Sequence, residues 1–200
     1  VYPLDRQFVQ DLAQLCRHRD WLLLADEVQT GVGRTGSLFC FQQYGIQPDA
    51  CSFAKGIAGG LPMGGFLVNE KCRSVLGPGD HGSTFGGNPV CAAAALAVLS
   101  ILDDETIAQV KEKGEYLRSQ IEAMALPGLG KTRGLGLMIG IEVAPGYSNK
   151  DLCAKLNQAG LLCLTAGPGL RLLPPLTITK EEMDKGLAVL KAALGCMEEG

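Results

Sequence analysis

The sequence lacks the patterns that mark a metal-binding or disulfide-stabilised protein. It contains only two histidines, and its eight cysteines stand singly, with no C-x-x-C pair and no Cys/His cluster. We therefore expect no metal site. Most cysteines lie among apolar residues, where cysteine behaves as a small hydrophobic side chain, so we expect a reducing, cytoplasmic compartment. The eight are Cys16, Cys40, Cys51, Cys72, Cys91, Cys153, Cys163 and Cys196.

The sequence also lacks an excess of positive charge and a long hydrophobic run. Its net charge of -3 gives no reason to expect nucleic acid or an anionic membrane as a partner. The longest apolar stretch, "PVCAAAALAVLSIL", is shorter than the roughly 20 residues that a membrane span needs. The chain starts with Val1 instead of Met, and a helix is predicted a few residues later. We therefore expect a segment of a longer protein.

The first half of the chain alternates between helical and strand patterns. Residues 5–18 carry apolar side chains at helical spacing behind Asp5, a suitable N-cap. The continuous apolar run "WLLLADEV" predicts a buried strand, and shorter strands are predicted over 50–53 and 65–68. Asn88 followed by proline predicts the start of an alanine-rich, largely buried helix.

The second half predicts a smaller α/β unit. Charged residues between Asp103 and Glu122 favour an exposed helix, and "GLGLMIGIEV" predicts a single strand. A further helix is predicted over 149–159, and "RLLPPLTIT" is predicted to be extended. Thr179 and a glutamate three residues later form a capping box for the last helix. The fold class is therefore α/β, with one domain over 1–102 and a second over 103–200.

The segment "DEVQTGVGRTG", residues 26–36, contains the spacing G-x-G-x-x-G found in dinucleotide-binding loops. In such loops the glycines join a strand directly to the helix that receives the pyrophosphate. Here five residues separate the apolar run from Gly31, and no helix cap follows Gly36. A nicotinamide or flavin site is therefore the less favoured of the alternatives.

An acidic residue and a lysine follow two neighbouring predicted strands. Asp26 ends the buried run, and Lys55 follows the next strand in "SFAKGIAGG". Ligands bind at this edge of open α/β sheets. A lysine and a carboxylate suit pyridoxal phosphate, whose aldehyde binds an amine and whose ring nitrogen binds an acid. Alternatively, Asp26 only caps the following loop and the Lys55 amine points into solvent.

Three consecutive motifs resemble one known family. "DEVQTGVGRTG", "PDACSFAKGIAGGLPMGG" and "HGSTFGGNPVCAAAALAVL" occur in the order and spacing of the fold-type I, class III pyridoxal-phosphate aminotransferases. "TRGLGLMIGIEV" and "AGPGLRLLPPLTIT" continue the match. Within the class, these motifs are most similar to those of the acetylornithine and ornithine aminotransferases. The resemblance covers nearly the whole chain but only the C-terminal half of such an enzyme.

The resemblance implies roles for three residues around the cofactor, pyridoxal phosphate. Lys55 corresponds to the lysine that forms the Schiff base and moves the proton. Asp26 corresponds to the acid that pairs with the ring nitrogen. Gln29 corresponds to a hydrogen-bond donor to the ring hydroxyl. The segment over 1–102 then corresponds to the C-terminal part of the large cofactor domain, and 103–200 to the small C-terminal domain.

The resemblance also implies a homodimer and a substrate contact. Thr84, with Ser83 beside it, corresponds to a group that contacts the phosphate of the neighbouring subunit's cofactor. Arg171 corresponds to the family arginine near the substrate. From chemistry alone, Thr84 is equally well a loop hydroxyl, and Arg171 has the usual alternative of an arginine, a surface ion pair.

The implied reaction moves an amino group from N-acetylornithine, or a similar ω-amino acid, to 2-oxoglutarate, as in arginine biosynthesis. Ornithine, succinylornithine and 4-aminobutyrate are alternative donors. A catalytically incompetent fragment is an alternative of a different kind. Family parts that hold the phosphate, stack on the ring and bind the α-carboxylate have no counterpart in this segment. We therefore expect the 200-residue chain alone to be inactive and to self-associate through an exposed sheet edge or dimer face.

Overall fold

The computed structural model describes residues 1–195 of the chain and has the α/β architecture that the sequence predicts. Two compact units make up the protein. The N-terminal unit covers Leu4–Ile107. The C-terminal unit combines Val1–Pro3 with the chain from Ala108 onward. Cys196 lies outside the described residues.

The N-terminal unit contains three helices and three short strands. Asp5 caps the first helix as predicted, because its side chain accepts a hydrogen bond from the Phe8 backbone N–H at 3.0 Å. The elements in chain order are α1 (Arg6–His18), β1 (Leu24–Asp26), α2 (Phe41–Tyr44), β2 (Ala50–Phe53), β3 (Gly65–Val68) and α3 (Pro89–Ile101). A short 3₁₀ helix over Lys55–Ala58 follows β2, and another covers Glu70–Cys72.

The three strands form a mixed sheet in the order β1-β2-β3. Strands β1 and β2 are parallel, and their register pairs Asp26 with Ser52. Strand β3 is antiparallel to β2. The parallel pair therefore places the carboxyl ends of β1 and β2 at the same edge of the sheet.

Two predictions of burial in this unit are wrong. The run "WLLLADEV" forms a strand of only three residues, and Leu24 within it is 66% exposed. Helix α3 starts at the predicted cap, where the Asn88 side chain accepts a hydrogen bond from the Val90 backbone N–H at 2.9 Å. Yet Ala95 is the single buried residue of α3. Apolar composition predicted these elements correctly but not their burial, because the described chain supplies few neighbours to cover them.

The C-terminal unit contains four strands and three helices. Helix α4 starts in the last residues of the N-terminal unit and continues into this one. The elements in chain order are α4 (Asp104–Ala123), β4 (Leu129–Leu135), β5 (Met138–Val143), α5 (Asn149–Gln158), β6 (Leu164–Ala166), β7 (Gly169–Leu172) and α6 (Lys180–Leu194). The core includes Val110, Leu137, Ile139, Leu156 and Leu190, each almost fully buried.

The four strands form an antiparallel sheet in the order β4-β5-β7-β6. The prediction of one strand over "GLGLMIGIEV" is wrong, because the chain reverses after Leu135 and forms the hairpin β4-β5. Gly136 makes the reversal possible, since its φ of 51° is one that glycine adopts without steric cost. The predicted capping box of α6 is confirmed: Thr179 and Glu182 bond each other's backbone N–H groups.

Within residues 1–195, no helix is both long enough and apolar enough to cross a membrane.

Candidate active site

Asp26 and Lys55 both lie at the carboxyl edge of the parallel pair β1-β2. Asp26 is the last residue of β1 and pairs in register with Ser52 of β2. Lys55 follows three positions later and starts the 3₁₀ helix Lys55–Ala58. Both side chains are exposed, and the positive charge of Lys55 acts on the Asp26 carboxylate. The structure therefore brings together the two residues that the sequence singled out.

The Asp26 carboxylate is held in its ionised form. Its Oδ1 accepts a hydrogen bond from the Val28 backbone N–H at 3.1 Å and one from the Ser52 hydroxyl at 3.0 Å. These two bonds, together with the charge of Lys55, lower the pKa of Asp26 below its usual value. A carboxylate of this kind remains negative at neutral pH and can accept a hydrogen bond from a protonated ring nitrogen. Ser52 is a site residue that the sequence analysis missed; it follows from the strand register.

The backbone of Lys55 is strained. Its φ is 51°, in the left-handed region that non-glycine residues rarely adopt. Such a conformation costs about 1–3 kcal/mol and persists where surrounding structure enforces it, often at functional sites. The enforcing contacts come from the residues that follow, because Ile57 and Ala58 are buried against α3 in a small apolar cluster that includes Ala95.

The glycine-rich loop is a packed loop and not the start of a helix. Residues 28–40 form turns and bends, and the helix that follows, α2, has only four residues. A dinucleotide site needs a helix N-terminus at its glycines, so this geometry does not favour one. Within the loop, Val32 is buried and also has a positive φ, 54°. Val32 packs beside Gly56 and Ile57, which ties the loop to the turn that carries Lys55.

Glu27 is a second residue that the sequence analysis missed. The residue is buried, with only 3% of its surface exposed. It accepts hydrogen bonds from the Thr30 hydroxyl and, at 2.8 Å, from the Phe41 backbone N–H. Its own backbone N–H donates to the Ser52 carbonyl at 3.0 Å. Glu27 therefore fixes both ends of the glycine loop beside Asp26. No motif in the sequence distinguishes it from an exposed glutamate.

Gln29, Ser83 and Thr84 are exposed loop residues. Gln29 lies in the turn after Asp26. Ser83 and Thr84 lie in the loop that leads into α3, where the Ser83 carbonyl accepts a hydrogen bond from the Gly86 backbone N–H at 3.2 Å. The loop precedes the helix against which the turn after Lys55 packs.

Arg171 belongs to the C-terminal unit. It is half-buried on β7, opposite Gly140 of β5 and Leu164 of β6. Its position on a sheet strand is consistent with the extended segment predicted there. In residues 1–195 no group of three or more histidine, cysteine or acidic side chains is arranged to hold a metal ion.

The donor set at the carboxyl edge of β1 and β2 fits pyridoxal phosphate. The cofactor needs an amine for its aldehyde and an anionic partner for its ring nitrogen. Lys55 supplies an exposed amine, and Asp26 supplies an exposed carboxylate whose pKa is lowered chiefly by the Val28 N–H, with further contributions from Ser52 and Lys55. Asp26 ends one of two adjacent parallel strands and Lys55 closely follows the other, at the edge where α/β sheets bind ligands.

Comparisons with known proteins identify the family. The sequence profile of the family described as aminotransferase class-III matches residues 1–194. The acetylornithine aminotransferase of Haemophilus ducreyi is 45% identical over 197 residues, which cover 98% of this chain and 50% of that protein. The chain thus spans about half the length of the relatives it matches.

Solved structures give the same result. The acetylornithine aminotransferase from Elizabethkingia anophelis superposes with a TM-score of 0.90 at 35% identity, covering 98% of this chain and 54% of that one. The ornithine delta-aminotransferase of Plasmodium falciparum superposes with a TM-score of 0.86 at 34% identity, covering 94% and 51%.

Proposed function

The chain belongs to the class-III aminotransferase family, and from this premise we propose that it forms the lysine-bearing part of a pyridoxal-phosphate-dependent aminotransferase. The proposed reaction moves an amino group from N-acetylornithine, or a similar ω-amino acid, to 2-oxoglutarate, as in arginine biosynthesis. The observation that carries the proposal is that Asp26, which ends β1, and Lys55, which follows β2, lie at the same carboxyl edge of this parallel pair.

Three residues of the N-terminal unit have proposed roles at the cofactor. When bound, pyridoxal phosphate supplies an aldehyde that combines with amines and a ring that withdraws electrons. Lys55 would hold the cofactor through its aldehyde and would carry the proton that leaves the substrate Cα. Asp26 would hold the proton on the ring nitrogen, a role that its lowered pKa supports. Gln29, three residues further along the same loop, would hold the ring hydroxyl by a hydrogen bond.

The remaining roles involve a second subunit and the substrate. We propose a cytoplasmic homodimer in which Thr84, with Ser83, binds the cofactor phosphate of the neighbouring subunit. Both hydroxyls lie on an exposed loop, where they are available to another chain. Arg171 is the proposed contact for a substrate carboxylate. Its guanidinium is suited to that role because it presents a planar set of N–H donors.

Two groups of relatives bear on the identity of the amino donor. The chain is similar to acetylornithine aminotransferases in sequence, and to both acetylornithine and ornithine aminotransferases in structure. The 45% identity to the first group favours N-acetylornithine. Ornithine, succinylornithine and 4-aminobutyrate are the alternatives.

Labelling of Lys55 tests the proposal. The full gene product, meaning the product of the whole reading frame that encodes these residues, is incubated with pyridoxal phosphate, reduced with borohydride and digested. The pyridoxyl group is expected on Lys55. Lys71 is the matched control lysine, because it is paired with Asp20 at 2.6 Å on the same unit. A label on Lys71 and not on Lys55 would contradict the proposal.

A substrate panel then identifies the donor. Glutamate formation from 2-oxoglutarate is measured with N-acetylornithine, ornithine, succinylornithine and 4-aminobutyrate at equal concentrations. We expect the highest kcat/KM with N-acetylornithine. Lys55→Ala is expected to lower turnover by at least about a thousandfold, since it removes both the covalent attachment and the proton carrier. Lys71→Ala is expected to leave turnover unchanged.

A further inference from the structure

Two cysteine thiols face each other in the C-terminal unit, and neither has a role in the proposed function. Cys153 lies on α5 and Cys163 lies one residue before β6. Their Sγ atoms are 3.7 Å apart. The Cys153 Sγ also lies 3.3 Å from the Cys163 carbonyl oxygen, and the Cys163 Sγ lies 4.0 Å from the Cys153 carbonyl oxygen. Each sulfur therefore lies close both to the other sulfur and to the backbone of the other cysteine.

Asn157 holds the two cysteines in this arrangement. Its Oδ1 accepts a hydrogen bond from the Cys163 backbone N–H at 2.8 Å, and its Nδ2 lies 3.6 Å from the Cys153 Sγ. The chain reverses between the cysteines at Gly160, whose φ is 90°. Buried leucines of α5 anchor the helix on the inner side, at Leu152 and Leu156. The sulfur contact is thus fixed by a side-chain bridge and by a turn, both within the same short segment.

We propose that Cys153 and Cys163 form a reversible intramolecular disulfide when the protein meets a low-molecular-weight disulfide such as oxidised glutathione. An S–S bond of about 2.05 Å requires the sulfurs to approach by about 1.7 Å from their contact distance. Rotation about the two Cα–Cβ bonds supplies a movement of that size. The cysteines are ten positions apart, which is enough for the chain to reverse and short enough to keep the entropic cost of closing the loop small.

The reaction proceeds by two thiol–disulfide exchanges. Cys153 is half-buried and Cys163 is buried, so the small disulfide reaches Cys153 first. The Cys153 thiolate attacks one sulfur of the small disulfide and expels the other half as a thiol. The Cys163 thiol then loses its proton and attacks the Cys153 Sγ, which expels the second half as a thiol. Two protein thiols are oxidised by two electrons, and one small disulfide is reduced to two thiols.

The order of attack agrees with the protonation of Cys163. Burial, reinforced by the neighbouring Cys153, raises the pKa of Cys163 to about 12. Cys163 is therefore a poor first nucleophile, because the reactive form of cysteine is the thiolate. The mixed disulfide on Cys153 removes the neighbouring thiol that contributes to this raised pKa, so Cys163 acts second, as the resolving thiol. This proposal does not depend on aminotransferase activity.

Peptide mapping tests the proposal directly. The full gene product is incubated with oxidised glutathione, free thiols are alkylated under denaturing conditions, and the protein is digested with trypsin. The two cysteines fall on different tryptic peptides, 151–155 and 156–171. We expect these two peptides to be recovered linked, and to separate on reduction with dithiothreitol. Oxidation is also expected to raise the unfolding midpoint by about 5 °C or more, because the closed loop restricts the unfolded chain.

Three variants control the result. Cys153→Ser and Cys163→Ser are expected to abolish both the linked peptides and the rise in midpoint. Cys72→Ser, which removes a buried thiol of the N-terminal unit, is expected to retain both. The mapping of the unsubstituted protein decides the question even where a serine variant fails to fold. Unlinked 151–155 and 156–171 peptides in excess oxidant, stable glutathione on Cys153 with Cys163 free, or linkage of either to another cysteine would each overturn the proposal.

Discussion

Asp26 is exposed, yet the groups around it leave its carboxylate little freedom. The Val28 N–H and the Ser52 hydroxyl bind one of its oxygens, which leaves the other available to a ligand. Asp49 is a useful contrast at the opposite edge of the same strands. It precedes β2, and its carboxylate accepts hydrogen bonds from the Leu23 backbone N–H and the Asn69 side chain, both at 2.8 Å. Asp49 therefore links the residue that precedes β1 to the residue that follows β3, whereas Asp26 lies at the proposed site.

Asp26→Asn should separate cofactor binding from turnover. The amide is nearly the same size, so the cofactor is expected to stay attached through Lys55. It carries no negative charge, so it cannot hold the ring nitrogen protonated, and turnover should fall by about a thousandfold. The visible absorbance of the bound cofactor and kcat are measured on the full gene product. Asp49→Asn, the matched control, should leave kcat unchanged; turnover of the Asp26 variant within about threefold of wild type would make Asp26 a loop cap only.

Glu27→Gln should destabilise the protein without removing any group that touches a ligand. One of the two buried carboxylate oxygens becomes an N–H donor, and the Phe41 N–H and the Thr30 hydroxyl then compete for the remaining oxygen. A buried donor left without its acceptor costs about 1–3 kcal/mol, so the free energy of unfolding in urea should fall by that amount. Glu70→Gln alters an exposed ion pair with Arg73 and should change nothing measurable. Equal stabilities for the two variants would show that Glu27 has no anchoring role.

At the scale of elements, glycine has opposite roles in two helices of the C-terminal unit. Gly114 of α4 lies against the β4-β5 turn, and a Cβ there would stand 2.0 Å from the Gly136 carbonyl oxygen. Gly186 of α6 has room, because its nearest neighbour would be a flexible Leu161 methyl at 3.5 Å. Helix propensity alone favours alanine at both positions by about 1 kcal/mol. The space around each glycine therefore decides whether alanine stabilises or destabilises the protein at that position.

Gly114→Ala and Gly186→Ala should accordingly shift stability in opposite directions. The first forces α4 away from a backbone carbonyl that cannot move independently, and should lower the free energy of unfolding by about 1–3 kcal/mol. The second should raise it by about 0.5–1 kcal/mol. Both are measured by urea unfolding of the full gene product. A stabilised Gly114→Ala variant would mean that α4 does not pack closely on this turn.

The sequence predicted those elements whose signals are local. The caps at Asp5, Asn88 and Thr179 are correct because each depends on one side chain and the backbone of the next few residues. The hairpin β4-β5 was missed because its turn is only two residues long and lies within a continuous apolar run. The pairing of Asp26 with Ser52 also escaped prediction, since register depends on strands that are 26 positions apart.

Burial depends on partners beyond the segment, and sequence patterns do not reveal them. Helix α3 has no charged residue over Pro89–Ile101, and such a helix is normally covered on all sides. Here Leu96 is 70% exposed, and Val90 and Ile101 are also exposed. Strand β3 of the same unit exposes Phe66 and Leu67. The N-terminal unit thus presents apolar surface of the kind that associates with other protein surfaces.

The 200-residue chain by itself is therefore expected to self-associate and to lack aminotransferase activity. Removing apolar surface from water favours association, and the uncharged helix α3 offers no repulsion between copies. The chain also spans about half the length of its relatives. The cofactor-binding residues proposed for it are Lys55, Asp26, Gln29 and the hydroxyls of Ser83 and Thr84, all of which lie in its N-terminal unit. Sedimentation velocity should detect oligomers, and a coupled assay for glutamate should detect no turnover.

A charge placed on α3 tests whether this helix causes the association. Leu96→Glu should shift the chain toward monomer, because burying the new carboxylate between copies is unfavourable without a partner. Leu162→Glu is the matched control, since Leu162 is 84% exposed but belongs to the C-terminal unit, and it should leave the oligomers unchanged. If Leu162→Glu disperses the oligomers and Leu96→Glu does not, the associating surface lies in the C-terminal unit. A monomeric unsubstituted chain, or one that turns over at about 10 per second as ordinary enzymes do, would contradict the prediction altogether.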